Sequence, residues 1–122
     1  MTKILIVEDT ADSAELAKRI LTARGYETVH AWDAETGLQM ALEQVPDLIL
    51  LDLGLPDYDG LTLASWLRAE SVLENVLIVA YTAWPPETAK QMAESYGCDG
   101  YIGKPMNGVS EFVEQVKSLL KK

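Results

Sequence analysis

Leu48-Ile49-Leu50-Leu51-Asp52 places four consecutive aliphatic residues directly before an acid. A short, continuous apolar run of this kind is typical of a strand that is covered on both faces. Similar runs occupy residues 4–7 and 76–80, and weaker, more polar candidates lie at Glu27–Ala31 and Gly100–Gly103. The sequence therefore predicts five strands, with Glu27–Ala31 at an edge of the sheet.

Segments with helical periodicity lie between these strands. The clearest runs from Val109 to Leu120, where apolar residues recur every three or four positions. Comparable patterns predict four more helices, at residues 12–24, 34–45, 61–69 and 89–96. Strands that alternate with helices indicate right-handed crossovers. We therefore predict an α/β fold, a doubly wound five-stranded parallel sheet with helices on both faces. For its strand order we take 2-1-3-4-5, a common order of such sheets, in which strands 1 and 3 are neighbours.

Length and composition indicate one domain spanning residues 1–122, since 48% of the residues are hydrophobic and 24% are charged. The formal net charge of −9 disfavours direct binding to nucleic acid or to an anionic membrane. The longest nearly apolar stretch, residues 76–84, is far shorter than the ~20 residues of a membrane-spanning helix. Because there is also no secretory signal and Cys98 is the single cysteine, we expect a cytoplasmic protein.

Polar residues follow the carboxyl ends of the predicted strands, where open α/β sheets carry their functional crevice. Glu8 and Asp9 follow the first strand, Asp52 the third, Thr82 the fourth and Lys104 the fifth. Carboxylates that lie close together repel one another, so this cluster requires a cation or a proton. Oxygen ligands suit Mg²⁺, and an ammonium group beside a carboxylate suits a phosphoryl group. The residues predict a magnesium-dependent phosphoryl site in which an Asp can act as the nucleophile.

Five motifs in this order resemble the receiver domain of two-component response regulators, which has the flavodoxin-like topology predicted above. The resemblance extends over essentially the whole chain. It is carried by Val7-Glu8-Asp9, Leu51-Asp52, Leu55-Pro56 with Asp59-Gly60, Tyr81-Thr82-Ala83 and Tyr101-Ile102-Gly103-Lys104-Pro105.

The resemblance implies an acceptor and a metal site. Asp52 is the implied phosphoacceptor for a histidine kinase. Glu8, Asp9, Asp52 and the backbone carbonyl of Gly54 are the implied Mg²⁺ ligands.

The resemblance also implies a switch. Thr82 is implied to supply the switch hydroxyl, and Lys104 to bind the phosphoryl group. Tyr101 is implied to change rotamer with the phosphorylation state. The family usually has a cis peptide bond at Lys104-Pro105. Two residues after the threonine stands Trp84, which we hypothesise shields the acyl phosphate from water; packing on a helix or a partner is the alternative.

The leading functional prediction is a response regulator without an output domain, which switches partner binding when it is phosphorylated. It catalyses only its own phosphorylation and dephosphorylation and is otherwise not an enzyme. Its expected partners are a sensor histidine kinase and a downstream protein target. The alternatives are a phosphorelay intermediate that serves a histidine phosphotransfer protein, and a phosphorylation-independent interaction module. A flavin-binding protein is disfavoured because the acids after the first strand repel a phosphate.

Four other residues receive structural interpretations. Asp57 and Asp59 are predicted to lie in a solvated turn, outside the ligand set. His30 is predicted to be an edge-strand surface residue, and Cys98 a small buried side chain without an acid–base partner.

Overall fold

The computed structural model describes residues 1–104 and 108–121. Five parallel strands form one sheet in the order β2-β1-β3-β4-β5, so the predicted topology is confirmed. None of the helices in these two ranges has the length and apolarity that a membrane crossing requires. The strands are β1 (Lys3–Val7), β2 (Glu27–Ala31), β3 (Leu48–Leu51), β4 (Leu77–Thr82) and β5 (Gly100–Gly103).

Each strand is followed by a helix, and the helices pack on both faces of the sheet. They are α1 (Ala11–Ala23), α2 (Ala34–Gln44), α3 (Gly60–Ala69), α4 (Pro86–Ser95) and α5 (Val109–Leu120), with a 3₁₀ turn at Ser71–Leu73. Pro86 occupies the first turn of α4, where its missing N–H has no intrahelical partner to lose.

Alternate residues of the central strands enter two separate cores. Leu5 and Val7 of β1 pack with α2, α3 and α4, whereas Ile4 and Ile6 pack with α1 and α5. This alternation follows from the two-residue period of a strand. Because both faces are covered, all four residues of β3 are fully buried, which explains the continuous apolar run at Leu48–Leu51.

The ends of the strands differ slightly from the prediction. β4 continues to Thr82 rather than ending at Ala80, because the Thr82 carbonyl accepts a hydrogen bond of 2.8 Å from the Lys104 N–H. β2 lies at the edge of the sheet as its mixed composition predicts. The polar residues that follow β1, β3, β4 and β5 all lie where the strands have their carboxyl ends, which we call the carboxyl edge of the sheet.

Candidate functional site

Three acidic side chains meet at the carboxyl edge of the sheet. Glu8, Asp9 and Asp52 each offer a carboxylate oxygen, and these oxygens lie within 4.8 Å of one another. The cause is strand register, since β1 and β3 are neighbours and Val7 pairs with Leu51. The Asp52 N–H extends this ladder by donating to the Val7 carbonyl at 2.9 Å. Neighbouring parallel strands that both end in acids thus produce the cluster predicted from the sequence.

Lys104 faces this cluster from the end of β5. Its ammonium group forms an ion pair and a hydrogen bond with Glu8 Oε2, and it lies 3.5 Å from Asp52 Oδ2. Its Nζ also lies 5.1 Å from the centre of the Tyr81 ring. Among the described residues, this ammonium group is the one cation paired with the cluster of three carboxylates, so negative charge is in surplus. A divalent cation with oxygen ligands fits that surplus.

Glu8 is the most constrained member of the cluster. Its side chain is only 1% exposed, and its carboxylate also accepts the Thr10 N–H at 3.2 Å. Its backbone is held on both sides: the Glu8 N–H donates to the Ala31 carbonyl at 3.0 Å, and His30 Nε2 donates to the Glu8 carbonyl at 2.8 Å. A buried carboxylate of this kind needs paired charge and hydrogen bonds, and here it has both.

Asp52 is half-buried, and its two oxygens have different surroundings. Oδ1 accepts the Gly54 N–H at 3.2 Å, whereas Oδ2 faces Lys104. Burial raises the pKa of the Asp52 carboxyl and Glu8 adds to the increase, while Gly54 and Lys104 only partly oppose it. The net result is a pKa above the ordinary value, mainly because the carboxyl is partly removed from water.

The loop after Asp52 closes on itself, and a glycine is required where it closes. Gly60 N–H donates to the Leu53 carbonyl at 2.9 Å, and a Cβ at Gly60 would lie 2.2 Å from the Asp52 carbonyl oxygen. Gly54, by contrast, has room for a side chain, because a Cβ there would meet nothing within 4 Å. Gly54 therefore leaves the site open to solvent on this side.

Thr82 and Tyr101 both bind the backbone of Trp84. Thr82 is 1% exposed, and its Oγ1 accepts the Trp84 N–H at 3.2 Å. The Tyr101 hydroxyl donates to the Trp84 carbonyl at 3.4 Å, and its ring lies across Gly103, where a Cβ would be 2.9 Å from the hydroxyl oxygen. The Trp84 side chain itself is 37% exposed. Trp84 is thus the backbone link between the two residues to which the resemblance assigns switching.

Two sequence interpretations, those of His30 and Cys98, need refinement. His30 does lie on the edge strand, but it is half-buried, with its ring 4.2 Å from that of Trp32 in addition to its bond to Glu8. Cys98 is only partly buried, and desolvation raises the pKa of its thiol to about 11, so the unreactive thiol predominates at neutral pH. The expected cis peptide bond at Lys104-Pro105 stays a prediction, because Pro105 lies outside the described residues.

Asp57 and Asp59 are exposed, as predicted, and neither belongs to the metal cluster. They are nevertheless more than solvated turn residues. Asp59 caps α3 by accepting the Thr62 N–H at 2.8 Å, which the three-residue spacing of an N-cap could have indicated. Asp57 binds the first turn of α2, whose residues are 22 and 23 positions away, and no local pattern indicates that contact.

Comparison with known proteins identifies the family. Residues 4–117 match the model of the response regulator receiver domain. The chain is 36% identical to the polar-differentiation response regulator DivK of Brucella ovis, over 98% of each chain.

Two solved structures are also similar over most of their length. The chemotaxis response regulator CheY4 of Vibrio cholerae has a TM-score of 0.90 at 26% identity, over 98% of each chain. The receiver domain of a sensor histidine kinase from Pseudomonas aeruginosa, solved with a magnesium ion coordinated in its active-site cleft, has a TM-score of 0.90 at 26% identity over 99% of this chain and 98% of that one. The chain therefore belongs to the response regulator receiver domain family of two-component signalling.

Proposed function

We propose that a sensor histidine kinase phosphorylates this protein on Asp52 in a magnesium-dependent reaction, and that the phosphoryl group switches its binding to a partner. The observation that carries the proposal is the position of Lys104 between Glu8 and Asp52, in a cluster with surplus negative charge. A structural ion pair needs only one carboxylate for each ammonium group. A phosphoryl site needs additional carboxylates, because these hold a metal ion.

The metal ligands would be the carboxylates of Glu8, Asp9 and Asp52 together with the backbone carbonyl of Gly54. An all-oxygen set with room for water is the set that Mg²⁺ prefers. Bound magnesium would neutralise charge on the phosphoryl oxygens. The relative from Pseudomonas aeruginosa, which holds magnesium in its active-site cleft, supports this assignment.

In the transfer step, an Asp52 carboxylate oxygen attacks phosphorus, and the bond from phosphorus to the donor histidine nitrogen breaks. The product is an acyl phosphate on Asp52 and a histidine with a free ring nitrogen. Lys104, already 3.5 Å from Asp52 Oδ2, is placed to pair with a phosphoryl oxygen. Attack requires the ionised carboxylate, so the raised pKa of Asp52 is a further reason for a cation at this site.

The switch would start at Thr82. Its Oγ1 now accepts the Trp84 N–H, and on phosphorylation its hydroxyl would turn to donate to a phosphoryl oxygen. The Tyr101 hydroxyl donates to the carbonyl of the same Trp84. A shift of the Trp84 backbone would therefore weaken or break the hydrogen bond that holds the Tyr101 ring in place. The surface formed by α4 and β5 would then repack and change its affinity for a partner.

The partners that fit this cycle are a sensor histidine kinase in the cytoplasm and a downstream protein target. The protein would catalyse only its own phosphorylation and dephosphorylation. A phosphorelay intermediate uses the same site, with a histidine phosphotransfer protein as the phosphoryl acceptor. The chemistry at Asp52 is therefore the first thing to test.

The test is the intact mass of the protein after incubation with MgCl₂ and acetyl phosphate, beside Asp52→Asn. We expect a hydroxylamine-labile gain of one phosphoryl group in the wild type and none in the variant or in EDTA. No gain from acetyl phosphate or from a phosphorylated histidine kinase, in a folded protein, would overturn the proposal. The phosphorylation-independent interaction module would then be the better description.

A further inference from the structure

The loop from β3 to α3, residues 53–59, carries the implied carbonyl ligand Gly54 and is fastened at its base. Leu53 is fully buried, and its carbonyl accepts the Gly60 N–H. Beyond this base the loop is exposed, apart from the half-buried Leu55, which packs against the core. The position of Gly54 therefore depends on what holds the outer part of the loop.

Asp57 holds the outer part of the loop against α2. Its Oδ1 accepts the Ala34 N–H at 2.9 Å and the Tyr58 N–H at 3.0 Å, and its Oδ2 accepts the Glu35 N–H at 3.0 Å. Within the described ranges, these are the only hydrogen bonds that residues 54–58 make to another helix or strand. We call the contact of Asp57 with Ala34 and Glu35 the α2 latch.

The latch is not needed to start α2, because the helix has a cap of its own. Asp33 precedes the helix and accepts the Thr36 N–H at 2.8 Å, which is the ordinary N-cap bond. Asp57 instead accepts hydrogen bonds from the two preceding N–H groups, those of Ala34 and Glu35. Two separate acids, one local and one from a distant loop, thus share the first turn of α2.

The charge of Asp57 suits this position. Desolvation acts to raise the pKa of its carboxyl, but the hydrogen bonds from Ala34, Glu35 and Tyr58 lower it below the usual value. A carboxylate at a helix N-terminus also interacts favourably with the helix dipole. The latch is therefore formed by the ionised side chain and is present at neutral pH.

We infer that Asp57 is a positioning residue for the metal site: by tying the loop to α2, it keeps the Gly54 backbone where its carbonyl can serve as a ligand. The inference rests on the proposed function, since Gly54 is a ligand only if the site binds Mg²⁺. Mg²⁺ tolerates little departure from octahedral geometry, and Gly54 has no side chain to restrain it. The restraint has to come from its neighbours. Leu55 packs on the core and the Tyr58 ring on Trp66 of α3. Asp57 adds the hydrogen bonds that join the loop to α2.

The coupling is reciprocal by thermodynamic necessity. If the latch favours the metal-binding position of Gly54, then bound metal favours the closed latch. Mg²⁺ is therefore expected to slow hydrogen exchange at the Ala34 and Glu35 amides. A purely local cap of α2 would show no such response.

The experiment compares Asp57→Ala with two matched variants in the full chain. Asp33→Ala removes the local cap of the same helix, and Asp59→Ala removes a cap made by the same loop. Each variant loses a cap-type hydrogen bond, so we expect all three to lower Tm. Calorimetric titration with MgCl₂ should give a dissociation constant that is about three- to tenfold higher for Asp57→Ala only, as expected for lost preorganisation. Asp57→Asn, which keeps an acceptor oxygen but no charge, should lie between it and the wild type.

Amide exchange by NMR gives the second readout. Saturating MgCl₂ should slow exchange at Ala34 and Glu35 in the wild type and in Asp59→Ala, but not in Asp57→Ala. The inference is overturned if Asp57→Ala and Asp59→Ala bind Mg²⁺ with equal affinity. It is also overturned if Mg²⁺ does not change the exchange rate of these amides in the wild type. Either result leaves the proposed function intact. A wild type that binds no Mg²⁺ and gains no phosphoryl group on Asp52 overturns both.

Discussion

The two edges of the sheet each carry an ion-pair cluster, and the clusters differ in how their charges balance. At the amino edge Arg68 pairs with Asp99, one charge against one, with Nη2 2.6 Å from Asp99 Oδ2. At the carboxyl edge Lys104 pairs with Glu8 and Asp52, and it is the one cation that the described residues place against the cluster of Glu8, Asp9 and Asp52. The first cluster is balanced within itself, whereas the described residues of the second leave negative charge unpaired.

The amino-edge cluster also satisfies its hydrogen bonds internally. Arg68 donates from Nε to the Gly97 carbonyl at 3.0 Å and from Nη1 to the Val76 carbonyl at 3.1 Å. Asp99 Oδ2 also accepts the Ile78 N–H at 2.8 Å. These bonds join α3, the start of β4 and the turn before β5, and they leave no charge for a ligand. The comparison teaches that surplus charge at a strand end, rather than charge itself, is what marks a candidate binding site off from a structural ion pair.

The largest expected effect comes from removing Lys104, the cation that pairs with Glu8 and Asp52. Lys104→Ala should lower the rate of phosphorylation by acetyl phosphate about 100-fold, because a positioned charge at the developing phosphoryl oxygens is lost. The rate is measured by intact mass against time. Lys90→Ala is the control, since Lys90 lies on α4 with its Nζ 6.0 Å from the Tyr101 ring centre and pairs with none of the three acids. A Lys104→Ala rate within threefold of the control would contradict the assignment.

Breaking the amino-edge cluster should affect stability instead. Arg68→Ala is expected to reduce the free energy of unfolding by about 2–4 kcal/mol, because it leaves Asp99 and several carbonyls without their charged donor. Urea denaturation measures the change. Affinity for Mg²⁺ should stay at the wild-type value.

Arg19→Ala serves as the comparison for Arg68→Ala. Arg19 forms an exposed pair with Glu15 one helical turn away, so its loss should change stability by less than about 0.5 kcal/mol. Equal effects of the two substitutions would show that the amino-edge cluster has no special structural role.

Neutralising a carboxylate of the site should stabilise the metal-free protein, by less than Arg68→Ala destabilises it. Burial, reinforced by Glu8, raises the pKa of Asp52 despite Lys104. A carboxyl with a raised folded-state pKa contributes stability below its unfolded pKa, and that contribution is lost as the pH rises through the folded value. Asp52→Asn does not titrate, so its Tm advantage over the wild type should be small in acid and larger at neutral pH.

Thermal melts of both proteins across the acid-to-neutral range, in EDTA, measure this difference. Added MgCl₂ should stabilise the wild type more than the variant and reduce or reverse the advantage. A Tm difference that does not depend on pH would contradict the charge imbalance inferred for this edge.

The smallest expected effect concerns the openness of the site to water. If Trp84 shields the acyl phosphate, Trp84→Ala should shorten its lifetime by a factor of about two to three, because water gains access to the phosphoryl group. Decay after removal of acetyl phosphate is followed by intact mass. Tyr96→Ala, which removes an aromatic ring of similar exposure at the end of α4, should leave the lifetime unchanged. Equal lifetimes in the two variants would favour the interpretation of Trp84 as a packing or partner-contact residue.

Much of this protein follows from local pattern. Leu48–Leu51 had to be a buried strand because every residue is aliphatic, and strands that alternate with helices imply a parallel sheet with one carboxyl edge. With the strand order 2-1-3-4-5, which puts β1 beside β3, these two facts place Glu8, Asp52 and Lys104 at the same end of the sheet. Asp59 caps α3 by a hydrogen bond to a residue only three positions away, so the spacing in the sequence is enough to indicate this cap.

Contacts between distant segments were decided by the tertiary structure alone. Asp57 reaches α2, His30 reaches the Glu8 carbonyl, and Arg68 reaches Asp99 across 31 residues. Such hydrogen bonds have a range of about 3 Å, so they depend on how loops and strand ends are positioned in space. Hydrophobic periodicity specifies which face of an element is buried, but it contains no information about where an exposed polar side chain finds its partner.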